Sequence, residues 1–169
     1  MEKRYVLALQ VQNKVGVLSR INALLTRRGF NIDSMSAAET DNPDIFWIIV
    51  AFRADESNAE QIKRQLSKQI DVYKILDLRA PDAVTREHIM IKVAAKPEER
   101  SSIISVAGIF RANVIDVSPS SMIIELTGET TKTKAFLETI KTFGILEVAR
   151  SGIIGMNRLD VPEEEEEYI

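Results

Sequence analysis

Few side chains in this sequence are equipped for chemistry. His88 is the single histidine and there is no cysteine, which removes thiolate nucleophiles, thiolate metal sites and disulfides together. No serine elbow or HExxH pair accompanies His88, so it has no nucleophile to activate and no metal to share. Asp33, Glu39, Asp41 and Asp44 gather around one short stretch but lack the spacing and glycine of a calcium loop, and turn formation accounts for them better. Neither GxGxxG nor a Walker glycine-lysine signature occurs. No catalytic constellation and no metal site can be assembled. One junction remains. In "QNKVGVLSRI", residues 12–21, an apolar strand ends, Gly16 follows, and an amphipathic helix begins. Such a helix start presents unpaired N–H groups, here from about Val17 to Arg20, that suit a carboxylate. Asn13 stands beside it with both donor and acceptor. Gly16 could simply permit a tight turn. The matching loop of a similar second half, "AAKPEER", has a proline and no glycine, so the fold alone does not require one. The chemistry expected is the holding of an anion.

The elements that must position this loop follow from hydrophobic periodicity. A strand over 5–11 leads into a helix over 17–28 with Leu18, Ile21 and Leu25 at helical spacing, and Arg27 and Arg28 suit its last turn. Gly29 fits the left-handed position after the helix. Strands over 31–38 and 45–52 flank the turn "TDNPD". Ser57 and Glu60 match a capping box, opening a helix with the stripe Ile62, Leu66 and Ile70. A strand over 72–78 closes the unit. The plan then repeats: a strand over 89–94 with His88 at its start, a helix over 97–111 with Ile103, Ile104, Ala107 and Phe110 inward, and strands over 114–117 and 122–126. A helix over 135–142 with Phe136, Leu137 and Ile140 inward and a strand over 145–149 complete it. "FNIDSMS" and "NVIDVSP" stand at equivalent places. The fold expected is α+β, two tandem ferredoxin-like βαββαβ domains: residues 1–79, a linker over 80–85, and residues 86–158. The tail 159–169 carries five consecutive glutamates, which repel one another and favour disorder. "IFWIIVAF" is apolar on both alternating faces, so the second domain or another chain should cover the sheet, and at least a dimer is expected.

A net charge of −3 and the lack of a basic-aromatic strand motif argue against nucleic acid as a partner. No run approaches the ~18 apolar residues of a membrane span, and the N-terminus reads as a first strand rather than a signal peptide. A cysteine-free chain fits a cytoplasmic setting.

"NKVGVLSRINALLTRRGFNIDSMS" resembles the signature of ACT domains, which bind amino acids and regulate metabolic enzymes. With "RRGFNIDSMSAAET", "IFRANVIDVSPSSMIIELTG" and "EVARSGIIGMNR", the chain from about Lys3 to Arg158 is similar to the regulatory (small) subunits of acetolactate synthase, with an ACT domain followed by a second ACT-like domain. The resemblance implies a non-catalytic partner, without cofactors of its own, for a large subunit that carries thiamine diphosphate, magnesium and FAD. It implies activation of that subunit in branched-chain amino-acid synthesis and feedback inhibition by valine. It also implies a homodimer whose effector sites lie between ACT domains. One chain supplies Asn13, Gly16, Val17 and Leu18; its partner supplies Asn31 and Ile32, with Ala38 nearby. A free-standing ACT-type amino-acid sensor acting on another enzyme is the alternative.

Overall fold

The computed structural model describes residues 2–27, 29–79 and 81–159. The expected place of Arg28, the start of the linker at Ala80 and the acidic tail from Asp160 lie outside the described residues. The chain divides into two compact units, Met1–Val84 with the chain from Ile153 on, and Thr85–Gly152.

In the first unit the order is β1 Lys3–Gln12, α1 Val17–Arg27, β2 Ile32–Glu39, β3 Ile45–Ala54, α2 Glu56–Ser67 and β4 Val72–Asp77. The strands form one antiparallel sheet in the order β2-β3-β1-β4, the ferredoxin-like arrangement. Alternation on the pleat sorts β1 and β3 into two faces. Leu7, Leu9, Val11, Ile48, Val50 and Phe52 pack with Val17, Ile21 and Leu25 of α1 and Ile62 and Leu66 of α2. The opposite residues, Val6, Ala8, Ile49 and Ala51, are also buried and form a second cluster with Leu78 and Ile153. The doubly apolar strands thus have cover on both faces within this unit, and Ile153 and Ala83 supply part of it.

Two local expectations for α2 are corrected. The cap is Asp55, whose carboxylate accepts from the Asn58 N–H at 2.8 Å, and not Ser57. A carboxylate one residue before the first helical residue satisfies an orphan donor and suits the helix dipole. Ile70 does not extend the stripe: the helix ends at Ser67 and Ile70 is 92% exposed. The buried face instead includes Lys63, whose ammonium lies 2.7 Å from both Asp77 and Glu60. Burial opposes its charge, but the hydrogen bonds to Asp77 and Glu60 outweigh that and raise its pKa, so Lys63 ties α2 to β4 as a cation.

The second unit repeats the plan with β5 Ala83–Ala94, α3 Arg100–Ile109, β6 Asn113–Val117, β7 Ser121–Gly128, α4 Thr130–Ile140 and β8 Ile145–Asn157. Its sheet runs β6-β7-β5-β8. Ile89, Ile91, Val93, Met122, Ile124 and Leu126 pack with Ile103, Ala107, Phe136 and Ile140. Ile104, expected inward, is 52% exposed. The residues expected as the end of the linker, Ala83 to Thr85, already belong to β5, so His88 sits well inside that strand and not at its start. The expected last strand over 145–149 continues to Asn157, and its end joins the first unit rather than closing the second. The repeated "ID" has a structural meaning. Both β2 and β6 break register there, between Ile32 and Ser34 and between Val114 and Asp116, so each half carries a bulge on an edge strand.

Candidate functional site: the loop between β1 and α1

The loop after β1 is anchored on two sides. Asn13 donates its backbone N–H to the Asp44 carbonyl at 2.8 Å and its side-chain Nδ2 to the Pro43 carbonyl at 2.9 Å, so the β2–β3 turn holds one flank. Asp71, in the turn before β4, holds the other. Its carbonyl accepts from the Gln12 N–H at 2.8 Å, and its carboxylate accepts from Arg20 Nε at 3.0 Å and Nη2 at 2.5 Å. Between these anchors Gly16 has φ +91°, a backbone region that side chains strongly disfavour. Glycine is therefore required by the turn itself. A Cβ there would also meet Arg20 Nη1 at 3.4 Å.

The helix start is less open than expected. The Val17 N–H donates to the Lys14 carbonyl at 3.2 Å and the Arg20 N–H to Gly16 at 3.0 Å. Among the described residues, the amides of Leu18 and Ser19 remain as the uncommitted donors of the first turn. That turn contains no acidic residue, so nothing on it repels an anion. Val17 is buried in the core and its N–H is already committed to Lys14, whereas Leu18 is 42% exposed.

The remaining candidate residues divide between the two ends of β2. Ala38 pairs with Trp47, which pairs in turn with Gln10, so Ala38 lies at the loop end of the sheet. Ile32 pairs with Phe52, which pairs with Tyr5, seven residues of strand from Gln12. At about 3.3 Å per residue that is roughly 23 Å. Asn31, exposed just before β2, lies at this far end. Within one chain, Asn13, Gly16, Val17 and Leu18 are together and Asn31 and Ile32 are remote.

The other candidates prove structural. Asp33, at the bulge, pairs with Arg4 at 3.2 Å and Arg53 at 3.6 Å. His88 Nδ1 meets the Thr127 hydroxyl at 3.0 Å. Among the described residues no group of three or more His, Asp or Glu is placed to hold a metal ion, and no helix is long and apolar enough to cross a membrane. In the second unit the helix after the equivalent loop begins with Arg100, whose Nη2 donates to the Ser118 and Pro119 carbonyls at 2.8 and 2.7 Å. Sequence reasoning missed the partnership of Arg20 with Asp71. Arg20 stood in the stretch that drew attention, but nothing local marks a partner 51 residues away.

Two family models match. Residues 7–74 match the model described as "AHAS small subunit-like ACT domain", and residues 86–159 the model "Small subunit of acetolactate synthase". The loop, the glycine and the two sheets thus define the class, a tandem ferredoxin-like protein whose first unit is an ACT domain. An acetolactate synthase small subunit from Mycobacterium bovis is 42% identical over 92% of this chain and 93% of its own length. That of Bacillus subtilis is 38% identical over 90% of each chain. The crystal structure of the acetolactate synthase small subunit from Thermotoga maritima superposes with a TM-score of 0.86 at 34% identity, over 94% of this chain and 99% of that one. The chain belongs to the family of acetolactate synthase small subunits, which are regulatory subunits.

Proposed function

We propose that this chain activates a catalytic large subunit of acetolactate synthase in the cytoplasm and makes it sensitive to feedback inhibition by valine. Thiamine diphosphate, magnesium and FAD would reside on the large subunit, which carries out the first step of branched-chain amino-acid synthesis. The effector pocket would form between two copies of the first unit. Asn13, Gly16, Val17 and Leu18 come from one copy, and Asn31 and Ile32 from the other, with Ala38 alongside. The observation that supports this reading is the separation of Asn31 from Gly16 within one chain. Two β2 edges paired antiparallel about a two-fold axis bring the Ile32 end of one copy beside the Glu39 end of its partner. That is the end of the sheet where the loop lies. Asn13 commits Nδ2 to Pro43 and keeps Oδ1 as an acceptor for the effector's ammonium. Because two chains share the ligand, its binding favours one dimer arrangement, to which the large subunit responds.

The test is an assay of the large subunit with and without this chain, across valine, leucine and isoleucine. Gly16→Asp sets a like charge at the effector's carboxylate and strains the turn. Loss of a buried charged contact costs about 2–5 kcal/mol, so valine affinity should fall roughly 30-fold or more. Asn31→Ala should weaken inhibition from the other side of the pocket. Fold activation should survive both substitutions. Unchanged inhibition by a well-folded Gly16→Asp dimer would remove the pocket from this loop. Failure to co-purify with any large subunit would favour the free-standing sensor.

A further inference from the structure

Arg20 lies over the glycine of the loop and is only partly used by its ion pair. Asp71 engages Nε and Nη2 through one carboxylate oxygen, while Nη1 is the atom nearest to where a Cβ of Gly16 would stand, at 3.4 Å. Among the described residues nothing accepts from Nη1. A guanidinium has five N–H donors in a rigid fork, so Asp71 can fix its plane and leave one edge facing the loop. Asp71 is well placed for this, because its carbonyl also holds Gln12 at the end of β1.

We propose that Arg20, oriented by Asp71, receives the carboxylate of the amino-acid effector through Nη1, together with the Leu18 and Ser19 amides. The assignment rests on the effector reading of this loop. It gives the loop glycine a second reason beyond its dihedral, since a side chain at position 16 would lie between the guanidinium and the ligand. It also makes Arg20 a residue that selects for a free α-carboxylate. The plainer account of the pair is a surface salt bridge, with Arg20 half-exposed, which would contribute little to anything. The two accounts differ in what they predict for a ligand without a carboxylate.

The experiment is calorimetric titration of the full-length chain with valine and with valinamide, whose α-carboxylate is replaced by a neutral amide. The proteins are wild type, Arg20→Gln, Arg20→Lys and Asp71→Asn. For wild type, valine should bind at least tenfold more tightly than valinamide. In Arg20→Gln that preference should collapse to within about twofold, through loss of valine affinity with valinamide affinity unchanged. Arg20→Lys, which keeps the charge but not the fork, should retain part of the preference and covers the case in which Arg20→Gln does not fold. Asp71→Asn should weaken valine about threefold. If wild type binds valine and both Arg20 variants keep its full preference over valinamide, the inference is overturned while the pocket stands. If wild type binds no branched-chain amino acid, the reading of the loop falls and this assignment with it.

Discussion

At the scale of single residues, Glu87 is a charge that the sequence does not single out and that holds several elements together. Glu87 is buried in the second unit. It accepts two hydrogen bonds from Arg150, both at 2.8 Å, and one from the Thr133 hydroxyl at 3.0 Å. The hydrogen bond to Glu87 raises the Arg150 pKa above its ordinary value, and the contacts of Glu87 join β5, α4 and β8. Glu87→Ala leaves the Thr133 hydroxyl, itself fully buried, without this carboxylate and removes the partner of a guanidinium. Arg150 is 42% exposed and can turn to water, which discounts the loss. The expected cost is about 2 kcal/mol, or a fall of roughly 10 °C in the Tm of that unit. Thermal unfolding of the variant checks this; a change under 2 °C would make the pair an ornament of the surface.

At the scale of elements, the edge strand β2 carries the argument for assembly. The buried outer face of the first sheet does not, since residues of the same unit share in its cover. Edge strands are usually blunted by charge, proline or bulges. In β2 the bulge at Asp33 and the charge of Glu39 sit at the two ends, and the run "SMSAA" between them is uncharged. The other edge, β4, is six residues long and includes Lys74 and Asp77. Amide hydrogen exchange over residues 34–38 should therefore slow as protein concentration rises through the dimerisation range, while exchange in β4 stays constant. Concentration-independent exchange in both strands would leave β2 an unpaired edge. This measurement needs no large subunit and no effector.

At the scale of the whole molecule, the long return of β8 matters most. Ile153 is 3% exposed and packs with Val6, Ala8, Ile49, Ala51 and Leu78. A fragment ending at Val84 contains both helices and the full first sheet but lacks that cover. It should bind the dye ANS and aggregate beyond a dimer at micromolar concentration, in contrast to the full-length chain. Ile153→Ala in the intact chain should destabilise the first unit by about 2–5 kcal/mol, seen as a lower denaturant midpoint with normal secondary structure. A monodisperse, dye-silent fragment would mean that the outer face needs no residue beyond Val84.

Much of this protein is legible in the sequence because the signals are local. The apolar run "VLALQV", the spacing of Ile21 and Leu25, and the recurrence of the βαββαβ plan place most elements within a few residues, since periodicity is a property of neighbours. Leu18, read into the same helical stripe, is 42% exposed, and Val17 is buried instead. Gly29 in the left-handed region, φ +73°, is of the same kind. What the tertiary structure alone decides are pairings across distance and the direction of faces. The glycines of "RSGIIGMN" hide a strand of 13 residues, because strand length there follows from the partner strand and not from propensity. Ile104 and Ile70 look like core and lie outside it, because helix ends and neighbouring elements determine which apolar residues are covered. Arg20 with Asp71, and Glu87 with Arg150, are 51 and 63 positions apart, and no spacing rule reaches so far. A carboxylate and a guanidinium become partners only when the sheet brings their strands and turns to one end. The glycine of the loop announces itself in one dimension, and the arginine that lies over it does so only in three.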